Sequence, residues 1–136
     1  MANFIFNSFP FNLAHIPLDL DSNTFKMILL LDTYTPNPAQ ENGYTINDDV
    51  PTNIGYHQLP TSGGYTRGGK TLTNRTLTVL AGVTKWTDEI SADMQWTSAT
   101  FTTRYAVIYC STISPNAPLV ILFDFGANKS VTAGTF

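Results

Sequence analysis

The sequence predicts an all-β fold, an antiparallel β-sandwich of six to eight short strands, and three observations carry that reading. Threonine, β-branched and stiff at χ1, supplies 20 of the 136 residues and favours pleated strands over helices. Three segments, TFKMILLLD, RYAVIYC and PLVILFDF, are apolar on both faces, as strands covered from two sides are. No stretch holds a long 3.6-residue period, so two packed antiparallel sheets in one domain spanning 1–136 are the simplest arrangement.

The elements follow in chain order. FIF near the N-terminus reads as an edge strand, and FNLAHI as one helical turn before Pro17. In TFKMILLLD, Phe25, Met27, Leu29 and Leu31 share one face, while Ile28 and Leu30 make the other apolar. KTLTNRTLTVL (70–80) reads as extended, with a bulge or kink near Asn74 where the alternation slips. VTKWT (83–87), MQWT (94–97) and ATFTT (99–103) are shorter strand candidates, broken by the polar stretch DEISAD. RYAVIYC (104–110) and PLVILFDF (118–125) complete the set, and in the latter Leu119, Ile121, Phe123 and Phe125 share a face.

Between Thr35 and Gly69 the chain changes character. This segment holds four of the eight prolines and six of the nine glycines, all punctuators of turns. A connection of thirty-odd residues is too long to be ordinary, and its Tyr and Ile residues argue against disorder. The expectation is an ordered excursion over the surface, serving as an interaction loop or as a tolerated insertion, whose residues 40–60 can be removed without unfolding the domain.

Composition excludes several functions. Only 12 % of the residues are charged, against roughly a quarter in an average soluble domain. The 20 Thr, 11 Asn and 8 Ser keep the surface wet instead. No apolar run reaches the roughly 18 residues of a membrane span, and no basic segment precedes the apolar N-terminus, so neither a membrane role nor a signal peptide is expected. A net charge of −3 with seven scattered cations offers no stripe for a phosphate backbone, so nucleic acid is not an expected partner. The single cysteine, Cys110, has no disulfide partner in the chain and lies in an apolar run, where a free thiol is more often a small buried hydrophobe than a nucleophile. Only His15 and His57 are available to activate it.

Several motifs suggest chemistry that their context refuses. GYTRGGKT (64–71) matches the phosphate-binding pattern G-x-x-x-x-G-K-[ST], but a period-two segment follows it instead of the helix such a loop opens. Asp19, Asp21 and Asn23 have the first spacings of a calcium loop, yet Thr24 and Leu30 occupy positions that require Gly and Glu, so an Asx turn is expected. DFG (124–126) lacks every other kinase signature, and NRT (74–76) and NKS (128–130) fit the glycosylation sequon only formally. Asp48, Asp49, Asp88, Glu89 and Asp93 read as solvated loop charge. Trp86 and Trp96 fit core or edge packing better than a sugar platform. No enzyme, cofactor or metal site is expected.

Taken together, LDLDSNTFKMILLLDTYTPN, GYTRGGKTLTNRTLT, TRYAVIYC and PLVILFDFGANKSVTAGTF resemble, in order and spacing over about half of the chain, a family of small structural proteins of tailed bacteriophages. That resemblance implies a non-enzymatic virion component. The favoured role is a capsid cement or decoration protein on the major capsid protein lattice, made in the host cytoplasm and self-associating about a lattice axis. The alternatives are a tail, collar or fibre-associated protein and, from another class, a carbohydrate-binding β-sandwich. Under the cement reading, the candidate contact residues are Phe4, Phe6, Phe9 and Phe11 near the N-terminus and Tyr44, Ile46, Ile54 and Tyr56 in the excursion. Four Phe within eight positions exceed what a short edge strand buries, so they either meet a partner or cap one open end of the sandwich.

Overall fold

The computed structural model describes residues 3–16, 18–40, 43–46, 48–73, 75–88, 94–113 and 116–136. Pro17, the expected kink at Asn74 and the residues Glu89 and Asp93 lie outside these. The described chain is all-β with seven strands, as its sequence predicts, plus one short α-helix and a 3-10 turn at Ile54–His57. The strands are β1 (Phe4–Ile5), β2 (Phe25–Leu30), β3 (Lys70–Thr71), β4 (Arg75–Leu80), β5 (Val83–Asp88), β6 (Ala99–Cys110) and β7 (Leu119–Gly134); helix α1 spans Ser8–His15. Five strands form an antiparallel sheet in the order β1-β7-β6-β2-β3, and β4 and β5 form a separate two-stranded ribbon.

The centre of the large sheet explains the segments that are apolar on both faces. In β6, every residue from Tyr105 to Cys110 is buried, because β2 and β7 flank it and both of its faces are covered. The register pairs Phe25 with Cys110, Met27 with Ile108 and Leu29 with Ala106 on one face. Ile28 with Val107 and Leu30 with Tyr105 stand on the other.

Several elements differ from the sequence reading, β7 among them, since it continues past Phe125 to Gly134. RYAVIYC and ATFTT are one strand, β6, with register shifts near Thr103 and Ile108 marking where it bends. The segment 70–80 is two strands in two sheets, since Lys70 and Thr71 pair with β2 while Arg75–Leu80 pair with β5. MQWT is no strand: Trp96 and Phe136 exchange backbone hydrogen bonds of 3.1 and 2.9 Å outside any strand. The helix is also longer than one turn and begins at Ser8; Pro10 falls in its first turn, where a missing N–H costs nothing.

The largest correction concerns the segment 35–69. It is ordered, but it is a covering layer and not a surface excursion. Tyr34, Tyr44 and Ile54 pack with Phe6 onto the face that carries Ile28, Leu30 and Val107. Leu59 and Tyr65 pack with Trp96 around Leu29 and Ala106 on the opposite face. Two-stranded β4–β5 is too small to cover five strands, so the excursion supplies the missing apolar side chains one at a time between its turns. It also closes the β2 edge: the Leu31 N–H donates to the His57 carbonyl and the Leu59 N–H to the Leu29 carbonyl, beyond the two residues that β3 covers.

Candidate interaction surfaces

The residues with chemical potential are committed to holding the fold. In GYTRGGKT the Arg67 guanidinium donates to the carbonyls of Ile46 (2.8 and 3.0 Å), Gly55 (2.9 Å) and Gln58 (3.3 Å), so it clasps the excursion from inside. The Gly69 N–H donates to Thr66 and the Gly68 N–H to the Gln58 amide oxygen, and β3 follows where a phosphate loop opens a helix. Lys70 lies over the Trp96 ring, 5.8 Å from its centre. Gly69 itself is required, because a Cβ there would stand 2.0 Å from the Met27 carbonyl oxygen at a φ of +77°.

The acidic loop at 19–23 is the expected Asx turn. Asp19 accepts from the N–H groups of Asp21 and Ser22 and from the Ser22 hydroxyl, while Asn23 accepts from the Asp19 N–H. Asp48 likewise accepts from the Val50 N–H and the Asn53 amide. In DFG, the Gly126 N–H donates to Asp124 at 2.8 Å and Arg104 at 3.1 Å, and these bonds, the backbone one foremost, hold the Asp124 carboxyl below the usual carboxylate range. No group of three His, Cys, Asp or Glu residues among the described ones is placed to hold a metal.

Cys110 is fully buried, with its thiol 3.9 Å from the Asn23 amide oxygen. The histidines are engaged elsewhere. His15 stacks on Phe11; His57 Nε2 donates to the Pro51 carbonyl, which leaves Nδ1 to accept from the Thr33 hydroxyl. Burial pushes the phenols of Tyr34 and Tyr44 up to about 12 and raises those of Tyr65 and Tyr109 further, so all four stay neutral packing groups. The two tryptophans form no joint platform: Trp96 is buried beneath Tyr65, Phe101 and Phe136, and Trp86 packs edge-on against Phe25.

Of the candidate contact residues, Phe6, Phe9, Tyr44 and Ile54 are buried core and cannot present side chains to a partner. Phe4 is half-buried, edge-on to Phe6. For these N-terminal rings, capping the sheet is the reading that fits. Phe11, Ile46 and Tyr56 are at the surface. Phe11 and Leu13 are both exposed on α1, two residues apart and so on different sides of it, while Ile46 and Tyr56 belong to the excursion.

Two further features escape the sequence reading. The ribbon ends in an aliphatic knob: Val79, Leu80 and Val83 are 71, 81 and 64 % exposed, and Leu77 is also exposed. LTVLAGV carries the signal for it, since aliphatic residues on both sides of a two-residue turn cannot all face a core. The second feature is an apolar cleft of about 370 Å³ on the large sheet, floored by Met27, Ile108, Ile121 and Phe123 and flanked by Trp86 and Met94. No sequence pattern could announce it, because its walls come from widely separated segments. No protein-family model, curated protein or solved structure matches this chain.

Proposed function

We propose that this chain is a non-enzymatic structural protein of a phage virion, a cement or decoration protein that seats on the major capsid protein lattice and acts as an oligomer. One observation carries the reading. Arg67, Cys110 and the tyrosines Tyr34, Tyr44, Tyr65 and Tyr109 serve as clasping and packing groups, while large aliphatic and aromatic side chains stand exposed at the ribbon knob, at Phe11 and Leu13 of α1, and at Ile46 and Tyr56 of the covering segment. Such a surface associates; it does not turn over a substrate. The order and spacing of the segments that resemble phage structural proteins support the same reading. On a shell, many weak contacts of this kind sum to a large stabilisation.

Copy number in purified particles tests this. Hundreds of copies per particle are expected for a cement protein, and a few dozen or fewer would move the role to tail or collar. Absence from particles would overturn the virion reading. Add-back to stripped shells then assigns the surface: Phe11→Asp or Tyr56→Asp should lower occupancy at least tenfold. The carbohydrate alternative loses its main support with Trp96 buried, and sugar binding abolished by Trp86→Ala would restore it.

A further inference from the structure

We infer that the apolar cleft on the large sheet receives the β4–β5 knob of a second copy of this chain, so that copies join head to tail. The inference stands on the cleft and the knob alone and requires no virion.

The cleft is lined, among the described residues, by apolar side chains only. Small-molecule sites carry a few placed polar side chains that orient the ligand, and among the described residues of this lining the one side-chain polar group, the Trp86 indole N–H, is already donated to the Leu20 carbonyl. It suits aliphatic side chains presented on a rigid support, and the same chain makes such an object. Leu80 and Val83 are a register pair on one face of the ribbon, while Val79 stands on the opposite face with Leu77 and Trp86. The tip therefore carries aliphatic side chains on both faces, with Thr84 opposite Val79 and Lys85 two residues behind Val83. A patch meant for a flat surface needs one apolar face; an end with aliphatic side chains on both faces is suited to insertion. Neither the side chains lining the cleft nor Val79, Leu80 and Val83 carry a charge, and Lys85 stands two residues back on a long side chain that can stay in water, so joining them strips no ion of water.

A molecule cannot fill its own cleft with its own knob. The ribbon is fixed at its root, where the Trp86 indole donates to the Leu20 carbonyl at 3.1 Å and its ring meets Phe25 at 5.2 Å. Trp86 is itself a wall of the cleft, and Val83 lies three residues further out, roughly 10 Å along the strand. Folding the knob back would break the register of the ribbon that carries it. Because knob and cleft are different surfaces, the contact is heterologous, and repetition gives a ring or an open chain.

Sedimentation over a range of concentrations tests this on the full chain. The wild type should gain mass with concentration. Leu80→Asp with Val83→Asp at the knob, and Ile5→Asp at the 55 % exposed rim of the cleft, should each be monomeric with unchanged circular dichroism. Met94→Lys is a second cleft variant in case Ile5→Asp disturbs β1. An equimolar mixture of a knob variant and a cleft variant should form a dimer and nothing larger, since each supplies one intact half. A wild type that stays monomeric throughout overturns the proposal, even if its cleft takes up a hydrophobic dye or its knob binds another protein. So does association that survives in the knob variant, or a mixture that fails to recover the dimer, which would indicate knob-to-knob contact.

Discussion

The Tyr44 hydroxyl and the Gln58 side-chain amide are joined twice in the core: the hydroxyl donates to Oε1 at 2.8 Å and accepts from Nε2 at 2.9 Å. Both residues belong to the segment that covers the sheet, and both are buried. Gln58 Oε1 has a second, longer bond from the Gly68 N–H at 3.4 Å, whereas among the described residues Tyr44 is the acceptor that Nε2 reaches. Tyr44→Phe should therefore strand a buried amide donor and cost about 1–3 kcal/mol in urea unfolding. The pair Tyr44→Phe with Gln58→Leu should cost less than the two single losses added, because removing both partners removes the unmet need. Additive losses would show that the pair is not coupled.

Removing residues 40–60 should abolish cooperative unfolding. That deletion takes out Tyr44, Ile54, Gln58 and Leu59, all buried, and exposes Ile28, Leu30 and Val107 beneath them. Arg67→Ala is the milder probe of the same docking. It removes charge-assisted bonds to three carbonyls and should lower stability by about 2–3 kcal/mol with the β-sheet circular dichroism retained. A deletion variant that still melts cooperatively would return the segment to the status of a surface loop.

What the sequence made legible follows from how each element is covered. β2, β6 and the first half of β7 were readable because two-sided burial demands continuous apolar runs. The second half of β7 was not, since Asn128, Lys129 and Ser130 are exposed and it is held by backbone pairing with β6, which leaves no trace in side-chain pattern. Tyr44, Ile54, Leu59 and Tyr65 sit singly among prolines and glycines, with no period to show which way they face. The surface was readable to the same extent. Phe11, Ile46 and Tyr56 are exposed, but composition could not separate them from Phe6 or Ile54, because an isolated apolar residue in a turn-rich segment reads the same in a core and on a rim.

Stability should fall at both ends of the pH scale for identifiable reasons. Asp124 has its carboxyl lowered in the folded state, first by the Gly126 N–H and also by Arg104. Its contribution is thus complete above the ordinary carboxylate range near 4 and is lost as pH falls through the lowered folded value. The difference in melting midpoint between wild type and Asp124→Asn should therefore shrink as pH drops below about 4. The buried phenols act in the opposite sense. Tyr34 and Tyr44 are raised to about 12, so their contribution is complete below the ordinary tyrosine value near 10 and is lost as pH rises towards about 12. Phenolate absorbance from these two should appear together with loss of β-sheet circular dichroism; ionisation well before unfolding would contradict their burial.

The ribbon turn gives the cleanest test of local backbone strain. Leu80 and Val83 are joined by two residues, Ala81 at φ +50° and Gly82 at φ +78°. Positive φ at both positions is the two-residue hairpin geometry whose hand matches strand twist, and Asn-Gly is its preferred sequence. Alanine in the left-handed region costs about 1 kcal/mol. Ala81→Asn should recover about 0.5–1 kcal/mol of that, because its short polar side chain tolerates the conformation. Gly82→Ala should lose about 1 kcal/mol although an added Cβ meets nothing within 4 Å, so the loss isolates the conformational term from any clash. Amide exchange at Thr78 and Lys85, a register pair in the ribbon, reads both effects even if the ribbon opens before the sheet. Slower exchange is expected in Ala81→Asn and faster exchange in Gly82→Ala. The reverse order would mean that the ribbon does not take this turn in solution, and the knob built on it would lose its shape.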